Sequence, residues 1–235
     1  MESVRTHRIL EYLKTRKTCS MKELMRKFGI SAATVHRDVV ALAENDCVER
    51  IKGGIIYRPR DTRGSSATFQ ERTVANRAAK SAIAAKALSL VGEDDILFLD
   101  SSTTVYEIAV RLTTAKFQHL TVITNSIPVM QLFCKMPAAW SMVGLGGNYD
   151  PQLNSMLGAA TLEELSRLNV TKAFVSAFGL DAKGATTNHE RQAELLRKVI
   201  DSSDKCHLAV DTSKIGRRGL YRIARRGEFE SVIQE

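Results

Sequence analysis

The chain carries little that would staple or anchor it. Its 235 residues hold four cysteines, Cys19, Cys47, Cys134 and Cys206, and no two form a C-x-x-C pair. That spacing argues against a zinc knuckle and a compact disulfide framework, and leaves buried free thiols in a reducing compartment as the expectation. No run reaches the roughly 18 uninterrupted apolar residues that a membrane helix needs, and the opening MESVRTHR leads into no apolar signal segment. The expectation is a cytoplasmic protein without a membrane partner. Acidic residues are in short supply, with 26 Asp and Glu against 34 Lys and Arg for a net charge of +8.

What is present is ordinary globular material. Hydrophobic residues at 44% and charged residues at 26% permit a real core. The positive excess favours an anionic partner: nucleic acid, an acidic membrane surface or a phosphorylated ligand. It is also uneven. Residues 1–58 hold 12 basic side chains against 7 acidic ones, while the remaining 177 residues hold 22 against 19.

The basic head reads as helices. Ile9, Leu10 and Leu13 recur at helical spacing within residues 4–14. Ser20 and Glu23 form the S-x-x-E capping-box pattern ahead of Leu24, Met25 and Phe28, and Gly29 ends that second helix. Ser31 is a further cap candidate, and Val35, Val39 and Leu42 after it recur at one face. A helix, a glycine turn and a helix fit the helix-turn-helix, whose second helix enters the major groove.

With Val35 and Val39 inward, Ala32, Ala33, His36 and Arg37 face outward, with Ser31 and Thr34 at the helix start. Arg37 suits a bidentate pair with guanine, the alanines suit a thymine methyl, and Ser31 and Thr34 suit phosphate or base contacts. Downstream, residues 48–51 and 55–57 flank Lys52-Gly53-Gly54 as a hairpin, a wing carrying Arg50, Lys52 and Arg58 toward the phosphate backbone. A small helical subdomain that binds no DNA stands as the alternative.

Residues 58–68, RPRDTRGSSAT, read as an exposed linker. The domain expectation is therefore 1–58 as the DNA-binding domain, 59–68 as linker and 69–235 as an α/β effector domain. In the last, Phe69 to Leu90 reads as one helix with Ile83, Ala84, Ala87 and Leu88 buried. Strand-like runs at 95–99, 120–124, 140–145, 172–177 and 206–211 alternate with helices at 103–113, 126–135, 159–167 and 190–201, a mostly parallel sheet covered on both faces.

Ligands in such sheets sit at the carboxyl ends of strands. There Asp100-Ser101-Ser102-Thr103-Thr104 opens a helix whose free N–H groups and dipole attract phosphate. Thr124-Asn125-Ser126 ends the next strand, Gly146-Gly147 follows the third and lets a ligand approach the backbone, and Asp211-Thr212-Ser213-Lys214 adds an acid and an ammonium group. Singly, the first is equally a plain helix cap and the glycines a plain turn. Asp100 and Asn125 are expected to bond sugar hydroxyls. An enzyme remains the other reading, with Asp100, Asp181 and Asp211 as bases and Lys214 stabilising an enediolate; an RNA- or protein-binding head is a third.

S-A-A-T-V-H-R-D-V from Ser31, followed by R-I-K-G-G from Arg50, resembles the recognition helix and wing of the DeoR-type repressors. Phe69-x-x-Arg72, Asn76, Lys80 and Ile83-Ala84 resemble that family's connecting helix, and Asp100 to Thr104 its D-x-G-T-T loop. Thr124-Asn125, Gly146-Gly147 and Asp211-x-Ser213-Lys214 follow in family order. The resemblance implies an effector domain related to pentose-phosphate isomerases and glucosamine-phosphate deaminases. It keeps a sugar-phosphate pocket without catalysis, cofactor or metal. It implies a repressor of a carbohydrate or nucleoside operon, a homodimer or homotetramer that leaves double-stranded operator DNA when a phosphorylated sugar binds. His36 stands where the family often has Arg, Ser102 replaces a Gly, Gln192 a Glu and Leu196 a Lys.

Overall fold

Caps and close glycine approaches set the geometry of the first unit. The structure is a computed structural model that describes residues 4–44, 48–51, 53–57 and 68–235, and it divides into two compact units, Met1–Ser66 and Ala67–Glu235. In the first, α1 (Val4–Arg16), β1 (Thr18–Ser20), α2 (Met21–Phe28) and α3 (Ala32–Glu44) precede the hairpin β2 (Val48–Ile51) and β3 (Gly54–Tyr57). Ser20 accepts from the Glu23 N–H while the Glu23 carboxylate accepts from the Ser20 N–H, which completes the capping box. Gly29 closes α2 at φ 62°, a left-handed position that favours glycine. Ile9, Leu13, Leu24, Val35, Val39, Leu42 and Ile55 share one core. The result is a winged helix-turn-helix.

Strand β1 departs from expectation. It pairs antiparallel with β3, so the sheet runs β1-β3-β2. A Cβ on Gly54 would lie 2.7 Å from the Cys19 carbonyl oxygen, so glycine is what lets β1 approach. Lys52, Arg58 and residues 59–67 of the expected linker lie outside the described residues.

The second unit opens with a correction. The single helix expected from Phe69 to Leu90 is two, α4 (Phe69–Val74) and α5 (Arg77–Leu88). Asn76 between them takes φ 52°, which Asn tolerates better than most residues. Distant partners hold the break. The Asn76 amide donates to Asp211 Oδ1 at 3.3 Å and Ser213 Oγ at 3.1 Å. The buried Lys80 ammonium donates to the Arg72 carbonyl and, at 2.7 Å, to the Ala75 carbonyl, satisfying the end of α4.

Six parallel strands follow: β4 (Ile96–Leu99), β5 (Thr121–Thr124), β6 (Ser141–Gly144), β9 (Val170–Val175), β12 (Ser203–Ala209) and β14 (Ser231–Ile233), in the order β14-β12-β9-β4-β5-β6. Between β6 and β9 lie the hairpin β7 (Asn148–Asp150) and β8 (Ser155–Leu157), then α8 (Ala159–Leu165). Leu97 and Leu99 pack with α5, α6 (Thr103–Leu112) and α7 (Ile127–Leu132) on one face. Phe98 packs on the other with α8, α9 (Glu190–Asp201) and residues of the small antiparallel sheet β10 (Gly179–Asp181), β11 (Gly184–Thr187) and β13 (Tyr221–Ala224). A sheet covered on both faces explains the unbroken apolar strands.

The strand order reverses between β4 and β9. One half of the chain winds outward through β5 and β6, the other through β12 and β14. Ligand crevices in such sheets open at the carboxyl ends beside this switch point.

Cys19 and Cys206 are buried free thiols, pushed up to about 11 and about 12 by burial first of all. Cys134, expected to be buried, is exposed, and Cys47 lies outside the described residues. Among the described residues, no helix is long and apolar enough to cross a membrane.

Candidate functional site

Two surfaces carry the chemistry, one on each unit. On α3, Val35, Val39 and Leu42 are buried, while Ser31, Ala32, Ala33, His36 and Arg37 are exposed and Thr34 is half-buried. Ser31 Oγ accepts from the Thr34 N–H at 3.3 Å and lies 2.9 Å from Thr34 Oγ1, which fixes the start of the helix. Asp38, one residue beyond Arg37, is buried and accepts from Arg5 Nε at 2.6 Å and Nη2 at 3.0 Å. This two-pronged ion pair ties α3 to α1 and leaves Arg37 unencumbered on the outer face.

The wing meets that face. Arg50 of β2 places Nη2 3.2 Å from His36 Nε2. A guanidinium only donates, so Nε2 of His36 is the acceptor in this contact. The imidazole thus receives the wing's cation.

At the carboxyl ends of the strands, the residues singled out from the sequence come to one edge, but several are already occupied. Asp100 is 1% exposed, with Oδ1 accepting from the Ser102 N–H and Oδ2 from the Ser176 N–H, each at 2.8 Å. It pins the loop after β4 to the end of β9 across the switch point, a structural task. Burial, the largest influence, pushes its carboxyl above the usual range, while the N–H donors and Arg72 pull it down. Thr124 is likewise engaged: its hydroxyl donates to the Leu99 carbonyl at 2.6 Å and accepts from the Ser126 N–H at 3.0 Å.

The α6 N-terminus retains open donors. Ser102 Oγ accepts from the Val105 N–H at 3.1 Å, and the Ser102 N–H is taken by Asp100. Among the described residues, the N–H groups of Thr103 and Thr104 have no partner, which narrows the expected Ser102–Thr104 cradle to two donors at the helix's positive end. Asn125, 1% exposed, donates to the Met156 carbonyl at 3.0 Å and leaves its Oδ1 unpartnered.

Gly146 and Gly147 serve packing. The Gly146 N–H donates to Glu164 Oε2 at 2.8 Å and its carbonyl accepts from Thr161 Oγ1 at 2.6 Å. Gly147 has φ 139°, and a Cβ there would lie 2.1 Å from Thr161 Oγ1 and 2.8 Å from the Leu157 carbonyl oxygen. The absent side chain makes room for α8, where ligand approach was expected.

Sequence reasoning singled out Lys214 but missed the other charges that gather with it at this edge. Lys80 feels Lys214 and Arg72, Lys214 feels Arg217 and Arg72, and burial is the first cause lowering Arg72, Lys80 and Lys214 alike. Lys80 falls to about 8. Asp211 opposes this for Lys80 and Lys214, while Asp100 and Asp150 oppose it for Arg72. Lys214 and Arg217 lie over the Phe178 ring at 5.9 and 4.4 Å. His189, ahead of α9, is lowered chiefly by burial and senses Asp150 and Arg72. Arg72 and Lys80 were visible only as connecting-helix matches, and Asp150 and His189 carried no signal. Gln192 accepts from Thr187 Oγ1 at 2.6 Å. Leu196 is 1% exposed and part of the core.

Comparison with known proteins places both units. Residues 5–60 match the model of the DeoR-like helix-turn-helix domain and residues 75–235 that of the DeoR C terminal sensor domain. The HTH-type transcriptional regulator IolR of Bacillus subtilis is 28% identical over 234 residues, covering 99% of this chain and 91% of that one. The HTH-type transcriptional repressor GlcR of the same organism is 29% identical over 227 residues, 97% and 86% of the two chains. Among solved structures, ribose 5-phosphate isomerase A of Methanocaldococcus jannaschii matches with TM-score 0.41 at 15% identity, over 58% of this chain and about half, 53%, of the isomerase.

Proposed function

Because the chain belongs to the DeoR family of helix-turn-helix regulators, we propose that it represses a carbohydrate or nucleoside operon and is gated by a phosphorylated sugar. Residues 1–58 bind double-stranded operator DNA, with Ser31, Ala32, Ala33, Thr34, His36 and Arg37 toward the bases and Arg50 and Lys52 toward the backbone. Residues 69–235 form the effector domain, reached through the linker 59–68. The phosphate docks on the N–H groups of Thr103 and Thr104 beside Lys214, and the sugar meets Asn125. The protein works in the cytoplasm as a homodimer or homotetramer, since paired recognition helices must match paired half-sites.

The observation that carries this reading is the switch-point edge: two open N–H donors on α6 at the edge where buried Lys80 and half-buried Arg72 and Lys214 gather, in the same chain as an α3 with Arg37 exposed on its outer face. An anion there relieves the mutual repulsion of the cations.

The domain works by binding and not by turnover. Each carboxylate that an isomerase mechanism would need is engaged. Asp100 accepts two backbone N–H groups, Asp181 accepts from Arg218 Nε at 2.6 Å, and Asp211 accepts from Ser213 and Asn76.

Thermal-shift screening tests the effector half. A phosphorylated sugar is expected to raise the melting midpoint while its unphosphorylated parent does not. Equal responses from both would remove the phosphate from the proposal.

A further inference from the structure

Arg72 is anomalous among the cations at this edge. It is the last cation of α4, the first element described after the linker. Its guanidinium is largely buried, yet no carboxylate pairs with it among the described residues. Nη2 donates to the Gln152 carbonyl at 3.1 Å, the guanidinium carbon lies 5.8 Å over the Phe69 ring, and buried Nε has no partner. Burying an incompletely paired charge is costly, and each such group asks for an explanation.

Its position supplies one. The Arg72 carbonyl accepts from Thr103 Oγ1 at 3.4 Å, so the residue sits directly on the loop whose Thr103 and Thr104 N–H groups are open. Asp100, Asp150, Lys80, Lys214 and His189 all lie within its electrostatic reach. The two aspartates stop short of ion pairing, and each oxygen of one of them, Asp100, already accepts a backbone N–H. A largely buried guanidinium with an unpartnered Nε, on a residue whose backbone touches the loop at an unfilled helix N-terminus, adds a donor set whose fork geometry matches the oxygens of a tetrahedral dianion.

Resting on the proposed sugar-phosphate reading and extending it, we infer that Arg72 is an effector-binding residue that grips the ligand's phosphate, and that α4 therefore registers ligand occupancy directly. The Asn76 break makes this mechanically reasonable. It separates α4 from α5 as a distinct short element, tied to α5 through the Lys80 ammonium on the Arg72 and Ala75 carbonyls. Because the linker leads into α4, ligand capture is communicated to the chain segment nearest the DNA-binding unit in sequence.

The test uses full-length protein with ribose 5-phosphate, glucose 6-phosphate, fructose 1-phosphate and inorganic phosphate as probes. Dissociation constants are measured by calorimetry for wild type, R72A and R72Q; the second variant keeps a donor for the Gln152 carbonyl and protects against misfolding. Loss of a charge-assisted hydrogen bond should weaken the probe that binds wild type by about 10- to 100-fold. Backbone deuterium uptake over residues 69–74 should fall on binding in wild type and change little in the variants. A folded variant that binds with wild-type affinity overturns the inference, even if its unliganded midpoint has dropped. A wild type that binds none of the four probes overturns the proposed function and this inference together, so the two failures are distinguishable.

Discussion

Replacing Gly147 with alanine separates packing from ligand access. At φ 139° a side chain is strained, at about 1–3 kcal/mol. The added Cβ also meets the Thr161 hydroxyl at 2.1 Å and the Leu157 carbonyl at 2.8 Å, both fixed by surrounding structure. Relieving such overpacking costs a further ~1–3 kcal/mol. A total of about 2–6 kcal/mol corresponds to a midpoint lowered by roughly 4–24 °C for a domain of this size. Gly146 is the internal control, because its added Cβ would find only Glu164 Oε2, at 3.8 Å. G146A should cost less than about 1 kcal/mol. Differential scanning calorimetry without ligand reads both. Equal midpoints for G147A and wild type would refute the packing assignment and return Gly147 to the ligand.

Arg37→Ala should weaken binding to a specific duplex by about 1–3 kcal/mol while changing random-sequence binding little, as read by fluorescence anisotropy; an equal loss on both would make Arg37 a phosphate contact. Asp100→Asn should cost about 1–3 kcal/mol in urea unfolding, since an amide presents only one acceptor to the two N–H donors of Ser102 and Ser176. His189 and His207 are held below the ordinary imidazole value of 6.5, chiefly by burial. The unfolded chain then takes up protons first as pH falls through 6.5, so stability is full above that value and declines below it. H189Q should flatten part of that decline in midpoint-versus-pH scans, and an unchanged slope would exclude His189 from it.

How much of this was legible in the sequence depended on how local each cause is. The α2 capping box, the Gly29 stop and the Val35–Val39–Leu42 stripe are local patterns, and so were readable. The parallel strands were readable because burial on both faces leaves runs such as ILFL. Causes lying far along the chain were not. The Asn76 break depends on Asp211 and Ser213, more than a hundred residues away, inside an Ala-rich stretch that by propensity alone should stay helical. β1 exists because β3 pairs with it. The three-stranded sheet of β10, β11 and β13 joins short segments whose partner lies beyond α9 and β12.

At the site, residue types suggested which groups converge, and hydrogen bonding decided which are available. Asp100, Thr124 and Gly147 looked like ligand contacts, yet their polar atoms or empty space are used by the fold. Arg72 looked like a connector and emerges with unused donors. Spacing says where a group sits, but only the full partner set says whether it is free.

Titrating a labelled operator duplex with the protein, with and without a phosphorylated sugar that calorimetry has shown to bind, tests the central claim most directly. Coupling of about 1–3 kcal/mol predicts that saturating ligand weakens DNA affinity by roughly 5- to 150-fold. DNA affinity that stays the same while the sugar phosphate occupies its site would contradict it.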